Sequence, residues 1–261
     1  MSRFFIKEEQ ICGDLIRIEG ADAHHIARVL RMKEGDKLLL CDFFNTEYRT
    51  VICALSGDLV EAEIVERRAG ASEPSFPIVL YMALPKGDKM EWIIQKAVEL
   101  GVTEIVPFSS AFTVVKLDEK SAEKKRERWQ KIAKSAAEQC GRGRVPEISQ
   151  VRTFGQAVKD CLDRSAALEE CEKKGGALSF MCYEKEETRP LPALLSAHPD
   201  PCGISFFVGA EGGFSEKEAE LALSSGILPV GLGKRILRCE TAPLFVLSAV
   251  CYRYELEGNG Q

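Results

Sequence analysis

Between Val208 and Thr241 the chain reads VGAEGGFSEKEAELALSSGILPVGLGKRILRCET, a stretch that carries most of the residue types a small-molecule site needs. Gly209, Gly212 and Gly213 follow one apolar run and Gly231 and Gly233 end a second, and glycines let a backbone approach a ligand closely. Glu211, Arg235, Arg238 and Glu240 place charge beside those glycines. A carboxylate there can accept a proton, and a guanidinium can stabilise an anion. Neither loop reads G-x-x-x-x-G-K-S/T, and neither is a G-x-G-x-x-G leading a helix, so binding through phosphates is not indicated. What remains is a site of main-chain amides and carbonyls, which suits an adenosine-bearing molecule whose base is read by backbone hydrogen bonds. The bland alternative is that both loops are structural turns, which are common at strand ends.

These loops need strands and helices to hold them. Ile204 to Val208 and Ile227 to Leu232 read as buried strands, and Ser215 with Glu218 makes a Ser-x-x-Glu capping box for the helix between them. Thr241 and Pro243 suit the first turn of a final helix. Upstream, Ile78 to Leu84 is a continuous apolar run. Asp88 with Glu91 opens a helix that puts Met90, Ile93, Ile94, Ala97 and Val98 on one face, and Gly101 ends it. Strands are expected again at Glu104 to Phe108 and Leu178 to Cys182, and such alternation specifies a mainly parallel α/β sheet with ligands at its C-terminal strand ends. Before this region the pattern differs. From Arg3 to about Val65, short apolar runs (Leu15 to Ile18, Lys37 to Cys41, Tyr48 to Ala54, Val60 to Val65) are separated by Gly13, Gly20, Gly35 and Gly57, which predicts a small β-barrel. A helical piece, Asp22 to Arg31, interrupts it with Ala23, Ile26, Ala27 and Leu30 on one face. The polar run Glu66 to Pro77 is the expected boundary, dividing the chain into residues 1–70 and 76–261.

A long helix is expected from about Asp118 to Cys140, with Trp129, Ile132, Ala133, Ala136, Ala137 and Cys140 on one side and Lys120, Lys124, Arg128 and Lys131 near the other. It ends at Gly141-Arg142-Gly143-Arg144, two guanidinium groups on a turn that could grip phosphates or a base edge. Two readings of this basic row stand: a solvated face with a helix stop, or a contact for nucleic acid. Lys116 to Arg144 holds ten Lys or Arg against five Asp or Glu, whereas the whole chain carries −5, so any affinity for nucleic acid is local. The ten cysteines are scattered singly, Cys171 and Cys239 among them, with no C-x-x-C pair and no secretory signal, which points to reduced thiols in a cytoplasm. No metal site is expected: His24 and His25 lack clustered partners. The longest apolar run, Ala242 to Tyr252, is too short to cross a bilayer.

Five segments, HHIARVLRMKEGD (24–36), LPKGDKMEWIIQKAVELGVTEIVPF (84–108), EQCGRGRVPEI (138–148), VGAEGGFSEKE (208–218) and LGKRILRCETA (232–242), resemble, in order, the RsmE-type ribosomal RNA uridine-N3 methyltransferases of the SPOUT class. The resemblance covers nearly the whole chain. It implies a PUA-like N-terminal β-barrel that binds RNA and a C-terminal SPOUT α/β domain whose chain passes through itself in a trefoil knot. It further implies that an obligate homodimer holds S-adenosylmethionine in the knot, methylates N3 of a uridine in 16S ribosomal RNA within the small subunit, and releases S-adenosylhomocysteine. The chain departs from the family pattern at Ala210, at Cys239, and at Ala111-Phe112-Thr113 ahead of Val114 and Val115, where an arginine is expected.

Under the resemblance, Leu84, Gly209, Glu211, Gly213, Leu232, Gly233, Ile236, Leu237 and Arg238 would surround the cofactor. Uracil N3 must lose a proton before it attacks; Arg238 or Arg142 would stabilise the anion, and Glu240 or Glu211 would accept the proton. Glu240 has an ordinary reading too, as a cap of the last helix. Arg28, Arg31, Lys124, Arg128, Arg142 and Arg144 are the candidates for RNA contact, with Arg28 and Arg31 equally suited to surface salt bridges. Trp92 and Trp129 read as packing residues. Two other functions compete: a non-catalytic RNA-binding or ribosome-assembly factor, and a nucleotide-using Rossmann enzyme, which would need a glycine fingerprint where the chain reads LPKGDK.

Overall fold

The computed structural model describes residues 3–56, 58–114, 117–169, 175–184 and 188–257; Gly57, Val115, Lys116 and Cys171, named above, lie outside them. The described residues fall into two units. Those up to Glu73 group with the later segment Ala137–Val145, and Pro74–Ala136 groups with the residues from Pro146 onward.

The first unit is built on six strands: β1 (Arg3–Phe5), β2 (Ile11–Cys12), β3 (Leu15–Glu19), β4 (Lys37–Cys41), β5 (Thr46–Ser56) and β6 (Leu59–Ala69). They lie in the order β1-β4-β5-β6-β3-β2, with β1 parallel to β4 and the other pairs antiparallel. Strand periodicity sets the core. In β3, Ile16 and Ile18 point inward and Arg17 outward, and the inward side meets Phe4, Leu38, Leu40 and Val60. The expected barrel takes the form of a half-barrel sheet ending at β1 and β2. Two local expectations need correction. Glu66 to Ala69 belong to β6 and not to the linker, because Thr46 still pairs with Ala69 and extends the ladder. The helix predicted over Asp22 to Arg31 is α1 (Gly20–His24) followed by a wider turn, His25–Val29; Leu30 is exposed and not on the buried face, and Arg31 ends the segment with a left-handed φ of 53°.

The second unit contains β7 (Ile78–Ala83), β8 (Glu104–Ser109), β9 (Glu147–Ile148), β10 (Arg152–Thr153), β11 (Ala177–Cys182), β12 (Arg189–Pro190), β13 (Gly203–Val208) and β14 (Leu228–Gly231). All pairings are parallel, in the order β10-β8-β7-β13-β11-β14-β12, with β9 beside β8. Every residue of β7 and β13 is buried, as helices on both faces require. Val79, Tyr81 and Ala83 face Phe154 and Ala157 of α4 (Phe154–Glu169) and Ala219 and Ala222 of α6 (Glu216–Ser224). Tyr81 stacks on Phe207 with ring centres 4.3 Å apart, and its hydroxyl donates to Asp160 at 2.8 Å. The remaining helices are α2 (Lys89–Glu99), α3 (Glu119–Cys140), α5 (Leu191–Ala197) and α7 (Ala242–Cys251), and α7 packs against α2 and α5. Strand order carries the functional consequence. β13 enters between β7 and β11, so the chain reverses direction across the sheet there, and ligands in such sheets bind at the C-terminal ends beside that switch. Among the described residues no helix is long and apolar enough to cross a membrane.

Candidate functional site

The loop after β13 closes on itself. Gly213 adopts φ +67° and donates to the Ala210 carbonyl at 2.9 Å, and the two residues form an isolated antiparallel bridge. A Cβ on Gly209 would lie 2.9 Å from Gly213 backbone atoms, and one on Gly212 would lie 2.8 Å from Phe112 Cβ. Side chains cannot occupy this turn without opening it. Beyond the turn, the expected capping box is present: Ser215 Oγ accepts from Glu218 N–H at 3.3 Å, and the Glu218 carboxylate accepts from Ser215 N–H at 2.9 Å. Glu218 also accepts from Ala111 N–H at 2.7 Å, which ties the Ala111-Phe112-Thr113 departure to the glycine loop. Gly209→Ala is expected to cost about 1–2 kcal/mol, because even one methyl group must displace backbone here. Thermal unfolding checks this, and a melting midpoint equal to wild type would show that the turn accommodates the methyl group.

The second loop leaves β14 at Gly231, whose Cβ would lie 2.5 Å from Thr188 Oγ1, and turns at Gly233 with φ +111°. It runs to Thr241, which precedes α7 and makes no side-chain cap, while the Glu240 carboxylate is bound by the Cys239 thiol and Lys89. The two loops and the end of β11 enclose a cavity of about 1200 Å³. Its wall includes Cys182, Tyr183, Glu184, Phe112 and Lys89 as well as residues 208–216 and 230–240. The three strand ends are neighbours only because the sheet is parallel.

One cation organises the charge. Lys89 Nζ lies 2.8 Å from Glu211 in the first loop and 3.4 Å from Glu240 in the second. Glu211 also accepts from Lys86 N–H at 3.2 Å. Burial works against ionising Glu211, but the hydrogen bonds from Lys89 and the backbone outweigh it and hold the carboxyl below its ordinary range. In Glu240 burial is likewise outweighed, by the Cys239 thiol at 3.1 Å, its own amide and Lys89. The Cys239 thiol is pushed up to about 12, first by burial and then by Glu240, so it remains protonated and donates. Lys89 is raised, chiefly by the hydrogen bond to Glu211.

Of the residues expected around a cofactor, Gly209, Glu211, Gly213, Leu232, Gly233, Ile236, Leu237 and Arg238 line this cavity, together with Glu240. Leu84 is not on the wall; it is buried at the end of β7, where its N–H donates to Phe108. Ile236 and Arg238 are 81% and 85% exposed, and Arg238 stands 4.0 Å from Glu240. Arg142 is not in the cavity and is not on an open turn. It is buried in the first unit, 2.5 Å from Glu73, with its carbonyl accepting from Arg3, because a guanidinium drawn out of water needs a carboxylate partner. Arg144 beside it is exposed. Arg28 and Arg31 are exposed on the first unit, while Lys124 and Arg128 lie along the open side of α3, Arg128 paired with Glu91 at 2.9 Å. That contact diverts Glu91 from the start of α2, where Asp88 caps without a side-chain bond. Trp129 is buried as expected, but Trp92 is 44% exposed. Sequence reasoning missed Lys89 and the β11 wall: Lys89 stands 122 residues from Glu211, and only the fold joins them.

A family profile described as an RNA methyltransferase domain matches residues 72–251, and one described as an RNA methyltransferase PUA domain matches residues 18–65. The chain is 40% identical over 264 residues to a ribosomal RNA small subunit methyltransferase E from Bacillus subtilis (strain 168), covering 98% of each. A protein of the same name from Synechocystis is 33% identical across 95% of this chain and 76% of its own length. The fold is similar to a crystal structure of a ribosomal RNA small subunit methyltransferase E from Neisseria gonorrhoeae bound to S-adenosyl methionine, with a TM-score of 0.81, 31% identity and 97% of both chains covered.

Proposed function

The chain belongs to the ribosomal RNA small subunit methyltransferase E family, and from that premise we propose that it methylates N3 of a uridine in 16S ribosomal RNA, using S-adenosylmethionine and releasing S-adenosylhomocysteine. The observation that carries the proposal is the pair of glycine loops closing round one cavity at the switch point of the sheet. The cavity suits the cofactor. Gly209 and Gly231 leave main chain, not side chain, at the surface, and Glu184, Glu211, Glu216 and Glu240 are matched on the wall by Lys89, Lys234, Arg235 and Arg238, a balance that suits a cofactor carrying both a carboxylate and cationic groups. When bound, S-adenosylmethionine supplies an activated methyl group, so the chain's task is alignment.

Residues 209–213, Glu211 and residues 232–238 would hold the cofactor. Arg238, at the open rim, would donate to the uracil oxygen that gains charge as N3 loses its proton. Glu240, 4.0 Å from Arg238 and kept ionised against burial by the Cys239 thiol, its own amide and Lys89, would take the N3 proton and pass it to solvent at the rim, besides orienting Arg238. The exposed arginines of the half-barrel and the basic side of α3 would contact the RNA backbone. A second copy would cover the apolar side chains left exposed on α2, α7 and the turn after it: Trp92 at 44%, Phe245 at 43%, Tyr252 at 59% and Leu256 at 66%. The setting for this substrate is the cytoplasm.

Nucleosides digested from ribosomal RNA of cells with and without the gene test the reading. Loss of 3-methyluridine, with a saturable calorimetric titration by S-adenosylhomocysteine, is the expected result. Loss of a different modified nucleoside would remove the substrate claim, and a flat titration would favour a non-catalytic RNA-binding factor.

A further inference from the structure

The β4–β5 hairpin of the first unit has an unusual tip. Such turns favour Asn, Asp and Gly, yet Phe43 and Phe44 stand here at 48% and 72% exposure. They are not on a loose loop. Asp42 Oδ1 accepts from Phe44 N–H at 2.9 Å and Thr46 N–H at 2.8 Å, and its Oδ2 accepts from the Tyr48 hydroxyl at 3.1 Å. Asn45, at φ 69°, is bound twice to Gly70: its carbonyl accepts from Gly70 N–H at 2.7 Å and its amide donates to Gly70 O at 2.9 Å. Phe43 is stacked on Phe5, with ring centres 5.8 Å apart and 24° between planes. The tip is thus a pinned turn that holds two aromatic rings toward solvent.

What lies beside it selects the partner. The Gly141–Arg144 turn packs directly on Asn45, so closely that a Cβ on Gly143 would fall 1.8 Å from Asn45 Oδ1. That contact brings exposed Arg144 to the edge of the aromatic tip. At the base of the hairpin, Arg68 pairs with Glu47 at 2.5 Å and keeps 44% of its side chain exposed. Arg3 and Arg68 share the Glu47 carboxylate and Arg142 pairs with Glu73, so with exposed Arg144 a group of guanidinium side chains borders the apolar centre. A second copy of the chain would bring like charges together at this patch. A polyanion whose flat bases can leave their stack would not.

We propose that Phe44, backed by Phe43 and flanked by Arg144, is a stacking platform for one unpaired base of the RNA substrate, with the guanidinium on the adjoining phosphate. This rests on the reading of the chain as an enzyme that acts on ribosomal RNA. A ring already fixed by its turn loses little freedom when a base settles on it, so the contact is efficient.

Full-length Phe44→Ala, Phe44→Leu and Phe44→Trp proteins would be titrated against two probes by fluorescence anisotropy: a labelled single-stranded RNA 12-mer, and small ribosomal subunits purified from cells lacking the gene. The alanine and leucine variants should bind both probes about tenfold more weakly, and tryptophan should restore affinity with quenched fluorescence on binding. Calorimetric affinity for S-adenosylhomocysteine, measured on the same preparations, reports the other site and judges the functional reading separately. Unchanged RNA affinity in the alanine variant overturns the platform. Full rescue by leucine overturns it also, since that would indicate apolar packing and not stacking. A shift of the alanine variant to a smaller sedimenting species, with RNA affinity intact, would assign the tip to contact between copies.

Discussion

Arg142→Met is expected to destabilise the first unit by about 3 kcal/mol, the lower part of the range for breaking a buried ion pair. The guanidinium is 4% exposed, and its partner Glu73 is 11% exposed. Removing the cation leaves a carboxylate with little water around it, though Glu73 keeps hydrogen bonds from Gly143 N–H at 3.0 Å and Arg144 N–H at 3.1 Å, which limits the loss. For a chain of this size the midpoint of thermal unfolding should fall by roughly 6–12 °C. Replacing both residues, as Arg142→Met with Glu73→Leu, should recover much of the loss, because an apolar pair carries no unpaired charge. An unchanged melting curve with weakened RNA binding would instead return Arg142 to the phosphate-gripping role that its Gly-Arg-Gly-Arg setting suggests.

That reversal shows where the sequence is informative and where it is not. The strands β7 and β13 are legible because burial on both faces produces unbroken apolar runs, and Ser215 with Glu218 is legible because a capping box is a local device. The two glycine loops are legible as turns, and the fold converts them into one site by placing β13 and β14 on either side of β11. Two-residue strands such as β9, β10 and β12 have no period to read. Arg142 and Lys89 escape for a different reason. A charged residue looks the same in sequence whether it is solvated, buried with a partner or bridging two loops, and its role depends on contacts 69 and 122 residues away. Phe43 and Phe44 fall between the apolar runs Lys37 to Cys41 and Tyr48 to Ala54, and nothing marks them out until their exposure is known.

Lys89→Met should weaken binding of S-adenosylhomocysteine by between about ten- and a hundredfold at neutral pH, because the lysine is what connects the two loops. Its side chain is 36% exposed, so part of the attraction is screened, and the larger losses seen for fully buried pairs are not expected. The change also reverses the pH response. In the wild type, Glu211 and Glu240 are both held below the ordinary carboxylate range. A depressed carboxyl contributes its stabilisation above the unfolded pKa and loses it only as the pH falls through the lowered value, so wild-type affinity should stay level from about pH 8 to about pH 5. Without Lys89, two carboxylates share the cavity with no cation between them, each ionisation opposes the other, and their pKa values rise. The variant should therefore regain affinity as the pH falls toward about 5, where one carboxylate takes up a proton. Lys89→Arg keeps the charge and should keep most of the affinity with a level profile. Calorimetric titration of the three proteins across this range decides the matter: a methionine variant that binds within twofold of wild type at every pH would mean the loops hold their positions without the clamp.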